Sequence, residues 1–316
     1  MMRDFIPAGL ILALFAAGPA VAQGLSFSSK DPDNPITVTA EQGLEWQQNE
    51  KRFIARGNAK AVQAEVSVVA DELTAHYRDK PAKKGVKPVD QNADVAGDNG
   101  SEVYRVDAIG HVTITSSNET ATGAAAVYDF DKATLVLEGD LVTLTTPDGT
   151  VTAHRALQYW SNENIAMAEG DAVAVDAGVK GARRLKADTL TAYFRDADAA
   201  PPAKSNKKTK SIMAKTTSSK GRDVTFLKGV GNVVLTTDKE IVRGDRANYN
   251  LDSGIAIVEG AVKMTRDNNQ LNGGYAVVNV KGGVSRLYGS AAEAKGAAPP
   301  ARVKALLAPK PAAKGP

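Results

Sequence analysis

Apolar and polar residues alternate one by one in short runs along much of the chain. Ile36-Thr37-Val38-Thr39 and Val112-Thr113-Ile114-Thr115 show the pattern directly, and Leu135-Val136-Leu137 continues it. A period of two places one set of side chains on one face of a β-strand and predicts half-buried strands. Turn formers separate the runs: Asn118, Pro147-Asp148-Gly149 and Asp267-Asn268-Asn269. Helical periodicity is confined to the first residues. There a short charged start precedes the apolar run Phe5 to Ala17, Gly18-Pro19 breaks it, and Ala20-Val21-Ala22 follows. That order predicts a secretory signal peptide over 1–22, too short and too interrupted for a membrane span of about 20 residues.

The alternation is organised into repeats. Each copy has two apolar positions, often a Glu, then Gly; about 13 residues later comes a small residue, commonly followed by Asp, and then an aromatic. The glycines are Gly57, Gly110, Gly139, Gly170, Gly231 and Gly260, and the aromatics include Tyr77, Tyr128, Tyr159, Tyr193 and Tyr249. Gly-to-Gly spacings of 53, 29, 31, 61 and 29 reveal a period near 30, with extra residues in the two long intervals. Each copy reads as two to four short strands, and the Gly suits a bulge or tight corner. A single copy cannot bury its apolar face, whereas stacked copies can, so the fold class is an all-β repeat array.

Charge sharpens the boundaries. The net +3 conceals three basic stretches, Lys80–Pro88, Pro201–Arg222 and the tail from Gly289, which carry +4, +7 and +4 and leave the remainder near −12. These stretches are rich in Ala, Pro, Lys and Ser and lack the apolar density that offsets the entropy of ordering. The β-region is therefore expected over 34–289, with flexible basic inserts at about 79–100 and 196–222 and a disordered tail over 290–316. The chain has no cysteine, so neither disulfides nor thiol chemistry contribute.

Candidate chemistry is thin. His76, His111 and His154 occupy different repeat slots, and stacking does not bring such slots together. Glu138, Glu169 and Glu259 share a slot, but Arg56, Ile109 and Val230 interrupt it, which makes a solvated stripe rather than a carboxylate pair. Asp71, Asp188 and Asp245 read as turn residues bonded to local backbone N–H groups. No nucleophile elbow, zinc, phosphate-loop or dinucleotide motif occurs. The basic stretches lack interleaved aromatics, which argues against nucleic acid. The expectation is a protein that is not an enzyme and needs no cofactor or metal.

The opening stretch Pro35-Ile36-Thr37-Val38-Thr39-Ala40 with Leu44, then Phe53-Ile54-Ala55-Arg56-Gly57-Asn58-Ala59, and Val68-Val69-Ala70-Asp71-Glu72-Leu73 with Tyr77, resembles the OstA-like family. The likeness is good over about 34–78 and looser through 103–288. It implies a twisted, incompletely closed β-jellyroll in the periplasm whose trough holds the lipid A acyl chains of lipopolysaccharide. It also implies homologous partners at the inner and outer membranes and head-to-tail self-association through open sheet ends. The periplasmic member fits better than the inner-membrane one with a retained helix or the outer-membrane one with a large barrel.

Period-two alternation then nominates groove residues: Ile36, Val38, Phe53, Val66, Val68, Val112, Ile114, Leu135, Leu137, Val233, Leu235, Ile255 and Ile257. The same residues could fill a closed core instead. A secreted structural or adhesive β-solenoid is the competing reading, and a polysaccharide-active β-helix would require converging carboxylates.

Overall fold

The computed structural model describes residues 36–79, 101–147, 149–176, 183–195 and 223–307. The expected signal segment, both basic inserts and the last residues of the tail lie outside that range. Within it the chain is all-β: one 18-stranded antiparallel sheet with a single short helix.

The strands follow one another as a meander. They begin with β1 (Thr37–Thr39), β2 (Leu44–Gln47), β3 (Arg52–Gln63), β4 (Val66–Asp79), β5 (Ser101–Thr115) and β6 (Thr120–Asp129). Next come β7 (Thr134–Glu138), β8 (Val142–Thr146), β9 (Gly149–Ala153), β10 (Ala156–Trp160), β11 (Ile165–Asp176) and β12 (Arg184–Arg195). The array finishes with β13 (Asp223–Thr236), β14 (Ile241–Asn250), β15 (Ile255–Arg266), β16 (Asn269–Asn279), β17 (Val284–Tyr288), α1 (Ala291–Ala294) and β18 (Lys304–Leu306). Short strands lie end to end where one long strand lies elsewhere: β1 and β2 both pair with β3, β7 and β8 with β6, and β17 and β18 with β16. Each long strand, or each such pair, is one rung.

Every second rung bends at the repeat glycine. Gly110 and His111 have φ of 81° and 47°, and Gly231 and Asn232 have 79° and 47°. Two successive left-handed residues turn the strand sharply, and the ladder shows a register shift there, as between Ile109 and Val112. Hydrogen bonding resumes beyond the bend, so the strand continues instead of ending. The repeat is therefore two long, bent strands, not several short ones.

The bends divide the sheet into two leaves. Leaf A holds β2, β7, β10, β17 and the arms of the long strands on one side of the bend; leaf B holds β1, β8, β9, β18 and the other arms. Inward side chains of both leaves merge into one apolar cluster. In leaf A, Leu44, Ala55, Leu73, Ala108, Ala126, Leu137, Leu157, Ala168, Leu190, Gly229, Ala247, Val258, Ala276 and Leu287 stand side by side from the first rung to the last. A matching row in leaf B runs from Val38 through Val68, Ile114, Leu185, Leu235 and Met264 to Ala305. Large and small residues are interspersed along the leaf A row, as at Ala55–Leu73–Ala108 and Ala247–Val258–Ala276, which lets neighbouring rungs interdigitate.

The tail departs from expectation. Residues 290–307 are placed, and they complete the last rung. Ser290 caps α1 through the Glu293 N–H, and the Glu293 carboxylate accepts from the N–H groups of Gly289 (2.8 Å) and Ala301 (3.1 Å). The chain then returns as β18 beside β16. Composition alone missed these local bonds. Gly289 thus continues the glycine series, one copy beyond those visible in the sequence.

Candidate functional site

The edges of the two leaves opposite the bends form two lips. No strand pairing joins lip A to lip B among the described residues. Nor, among them, does the first rung pair with the last, so both ends are open and no backbone ladder closes the mouth.

Lip A carries aromatics on its inner face. Trp46 stacks on Phe53 with centroids 5.1 Å apart, Phe53 meets Tyr77 at 5.3 Å, and Trp46 Nε1 donates to Tyr77 Oη at 2.7 Å. Farther along, Tyr128 and Phe130 pack edge-on at 4.7 Å, then Tyr159 and Phe194 at 6.1 Å. Leu227, Tyr249 and Val280 continue the line, half-buried against the core. Four of the five repeat tyrosines thus mark this lip. Tyr193 is the exception: it alternates with inward Leu190, Ala192 and Phe194 along β12, so it points outward beside Phe226 and Phe194 takes the place on the lip.

Lip B is polar. The buried polar residues of the described chain, Gln63, Ser116 and Glu240, all lie on its inner side. Arg266 Nη2 donates to Glu240 Oε2 at 2.7 Å, and Arg183 lies 3.9 Å from Asp176. Two side chains of lip A face lip B across the mouth: the Ser285 hydroxyl donates to Glu240 Oε1, and the Tyr249 hydroxyl lies near the Arg183 guanidinium. Burial pushes the Tyr249 hydroxyl pKa upward, while Arg183 pulls it the other way.

Most of the nominated groove residues face inward. Val38, Val68, Ile114 and Leu235 share the leaf B row, Phe53 and Leu135 lie towards lip A, Leu137 lies in the leaf A row, and Val112 and Val233 flank the bends. Val66 sits at lip B, and Ile36 packs partly buried against the core. Ile255 and Ile257 are corrected: they point to the outer face, and Ala256 and Val258, which alternate with them, are buried. All four are apolar, so the phase of alternation is ambiguous there. Pairing of Val258 with Ala247 and Ala276 settles it. The interior is filled by packing at Leu137 and Ile114, 1% and 2% exposed, while half-buried apolar side chains occur on both leaves: Tyr159, Leu227 and Tyr249 towards lip A, and Leu144, Val151 and Leu271 in the leaf B row.

The polar candidates disperse. His76 Nε2 lies 2.8 Å from Asp107, His111 Nδ1 2.9 Å from Asp71, and His154 Nδ1 2.8 Å from the Asp140 carbonyl. Glu169 pairs with Arg155 and Glu259 with Arg246, two separate surface contacts. Among the described residues no group of His, Asp or Glu could hold a metal ion. The repeat aspartates have a role that sequence reading assigned differently. They bond across to the next rung: Asn232 Nδ2 donates to both Asp188 oxygens at 3.0 Å, and Asp71 meets His111. A Cβ at Gly231 would lie 2.1 Å from Asp188 Oδ2, and one at Gly110 2.0 Å from Asp71 Oδ2. The repeat's Gly and Asp are thus two parts of one joint.

An open-ended, cysteine-free β-roll with a continuous apolar interior invites comparison with known proteins. Residues 37–164 match the family model of the LptA/(LptD N-terminal domain) LPS transport protein. That span covers the first half of the array, through β10. An uncharacterized protein of Rhizobium meliloti (strain 1021) is 29% identical over 133 residues, which are 42% of this chain and 63% of that protein. The chain thus matches less than two thirds of the relative's length. The crystal structure of LptH, the LptA homologous periplasmic component of the lipopolysaccharide transport device of Pseudomonas aeruginosa, aligns over 88% of this chain and 99% of its own. Identity there is 9% and the TM-score 0.18, too low to bear on the fold.

Proposed function

We propose that this protein is a periplasmic lipopolysaccharide carrier, similar in role to LptA, which passes lipopolysaccharide from the inner towards the outer membrane along its apolar interior. The family match over 37–164 carries the reading. Three features support it. The inner rows run unbroken through every described rung, so an acyl chain held at one rung finds an equivalent surface at the next. Lip A supplies aromatic side chains, which combine apolar area with a polar edge. The free edges of β1, β2, β17 and β18 offer backbone groups to homologous partners or to another copy. Movement along such a groove forms and breaks no covalent bond, so no catalytic group or cofactor is required. Among the described residues no helix is long and apolar enough to cross a membrane.

Site-specific photocrosslinking tests the proposal. A photoreactive phenylalanine analogue replacing inward Tyr128 should capture lipopolysaccharide, and one replacing outward Ile257 should not. Equal capture at both positions, or none at Tyr128 while the fold is intact, would leave the structural or adhesive solenoid as the better reading.

A further inference from the structure

The two leaves approach each other closely at the mouth of the C-terminal half. The turn over 237–240 on lip B lies against the turn over 280–283 on lip A: a Cβ at Gly283 would be 2.5 Å from Lys239 Nζ. Ser285 reaches Glu240 beside this contact, and Tyr249 reaches Arg183 farther along. The chemistry of these bridges is asymmetric. Each charged group has its counter-charge on its own lip, Arg266 for Glu240 and Asp176 for Arg183. What lip A contributes is a neutral hydroxyl. Separating the lips therefore leaves no buried charge unpaired, which is the expensive outcome when a buried ion pair is split. It gives up at most one hydrogen bond per bridge, and the freed hydroxyl bonds to water.

We propose that Ser285 and Tyr249 are releasable latches that hold the C-terminal mouth shut, and that acyl chains enter the interior there only when lip A parts from lip B. The proposal rests on the lipopolysaccharide-carrier reading. It adds that loading of this half is gated by the side chains spanning the mouth.

The absence of native cysteine permits a direct test on the full chain. Lys239→Cys with Gly283→Cys, joined by a short reducible thiol-bridging reagent, locks the mouth and leaves Glu240, Arg266, Ser285 and Tyr249 intact. The bridged protein should take up purified lipid A at least about tenfold more slowly into this half, with full recovery on reduction. Uptake is read by photocrosslinking at Leu227. Equal uptake in the bridged and reduced forms overturns the proposal, and so does failure of the two cysteines to bridge. A reporter independent of lipid separates this result from failure of the carrier reading. Inward Leu235→Cys should react with a maleimide several-fold faster when Ser285→Ala and Tyr249→Phe remove the two hydroxyls. Unchanged labelling sinks the latch whether or not lipid A binds, whereas faster labelling without lipid A binding keeps the latch and rejects the carrier.

Discussion

Replacing Gly231 by alanine probes the joint on which the repeat depends. The residue has φ +79°, where an L side chain costs about 1–2 kcal/mol. Its new Cβ would also overlap Asp188 Oδ2, forcing that carboxylate away from Asn232. Loss of that charge-assisted contact adds about 1–2 kcal/mol, for a total of about 2–4 kcal/mol. Gly43 is the control: its φ is +105°, but a Cβ there has nothing within 4 Å, so Gly43→Ala should show the backbone cost alone. In an Asp188→Ala background the overlap with the carboxylate is gone and only a tight Cβ contact at 3.0 Å remains, so Gly231→Ala should cost closer to the backbone figure of about 1–2 kcal/mol. The difference, a coupling of about 1–2 kcal/mol, is the part due to the joint. Urea titration followed by circular dichroism measures all four variants, compared at their midpoints because a repeat array can unfold in stages. If Gly231→Ala destabilises no more than Gly43→Ala, or the coupling is zero, Gly and Asp are not one joint.

Other variants check further parts of the structure. Ala261 has φ +41° where Asn58 and Asn232 stand in equivalent bends, and the neighbouring rung presents Asp245. Ala261→Asn should therefore stabilise by about 0.5–1.5 kcal/mol in the same urea assay. Leu137→Ala should cost about 2–5 kcal/mol, since the side chain is fully buried, while Ile257→Ala on the outer face should cost less than about 1 kcal/mol. The Asp129 carboxylate accepts from the N–H groups of Lys132 and Asp131 and sits beside the Lys132 ammonium, contacts that hold its pKa below the usual carboxylate range. A depressed folded-state pKa contributes stability above the ordinary carboxylate pKa, and that contribution fades as pH falls through the lowered value. Stability measured from neutral to acid pH should accordingly show a smaller loss in Asp129→Asn than in the parent.

The alternation at Val112–Thr115 and the glycine spacing were enough to read a stacked all-β array, because burial on one face and a tight bend both leave local signatures. The length of the strands was not legible. A bulge keeps pairing intact across the glycine, and that depends on the neighbouring rung. The facing of Ile255 and Ile257 failed for a related reason: four successive apolar residues carry no phase, and cross-strand partners select it. The repeat tyrosine was visible as a repeat position, but its place on lip A needed the register. Asp71 and Asp188 looked like local turn formers because their partners lie 40 and 44 residues ahead. The Ser285–Glu240 bridge spans 45 residues with no motif to announce it.

The glycine–aspartate joint has a consequence for how this molecule can change size. It binds a bent rung to the rung before it, and the direction of the chain reverses at every rung. One added strand would bring the wrong end of the next strand to each joint, whereas an added pair restores both direction and register. Length can then grow or shrink only in hairpin steps, each adding about 10 Å at an inter-strand spacing of about 4.8 Å. Chains of this design are rulers graduated in hairpins, and spans between two fixed surfaces could be matched by gaining or losing whole graduations.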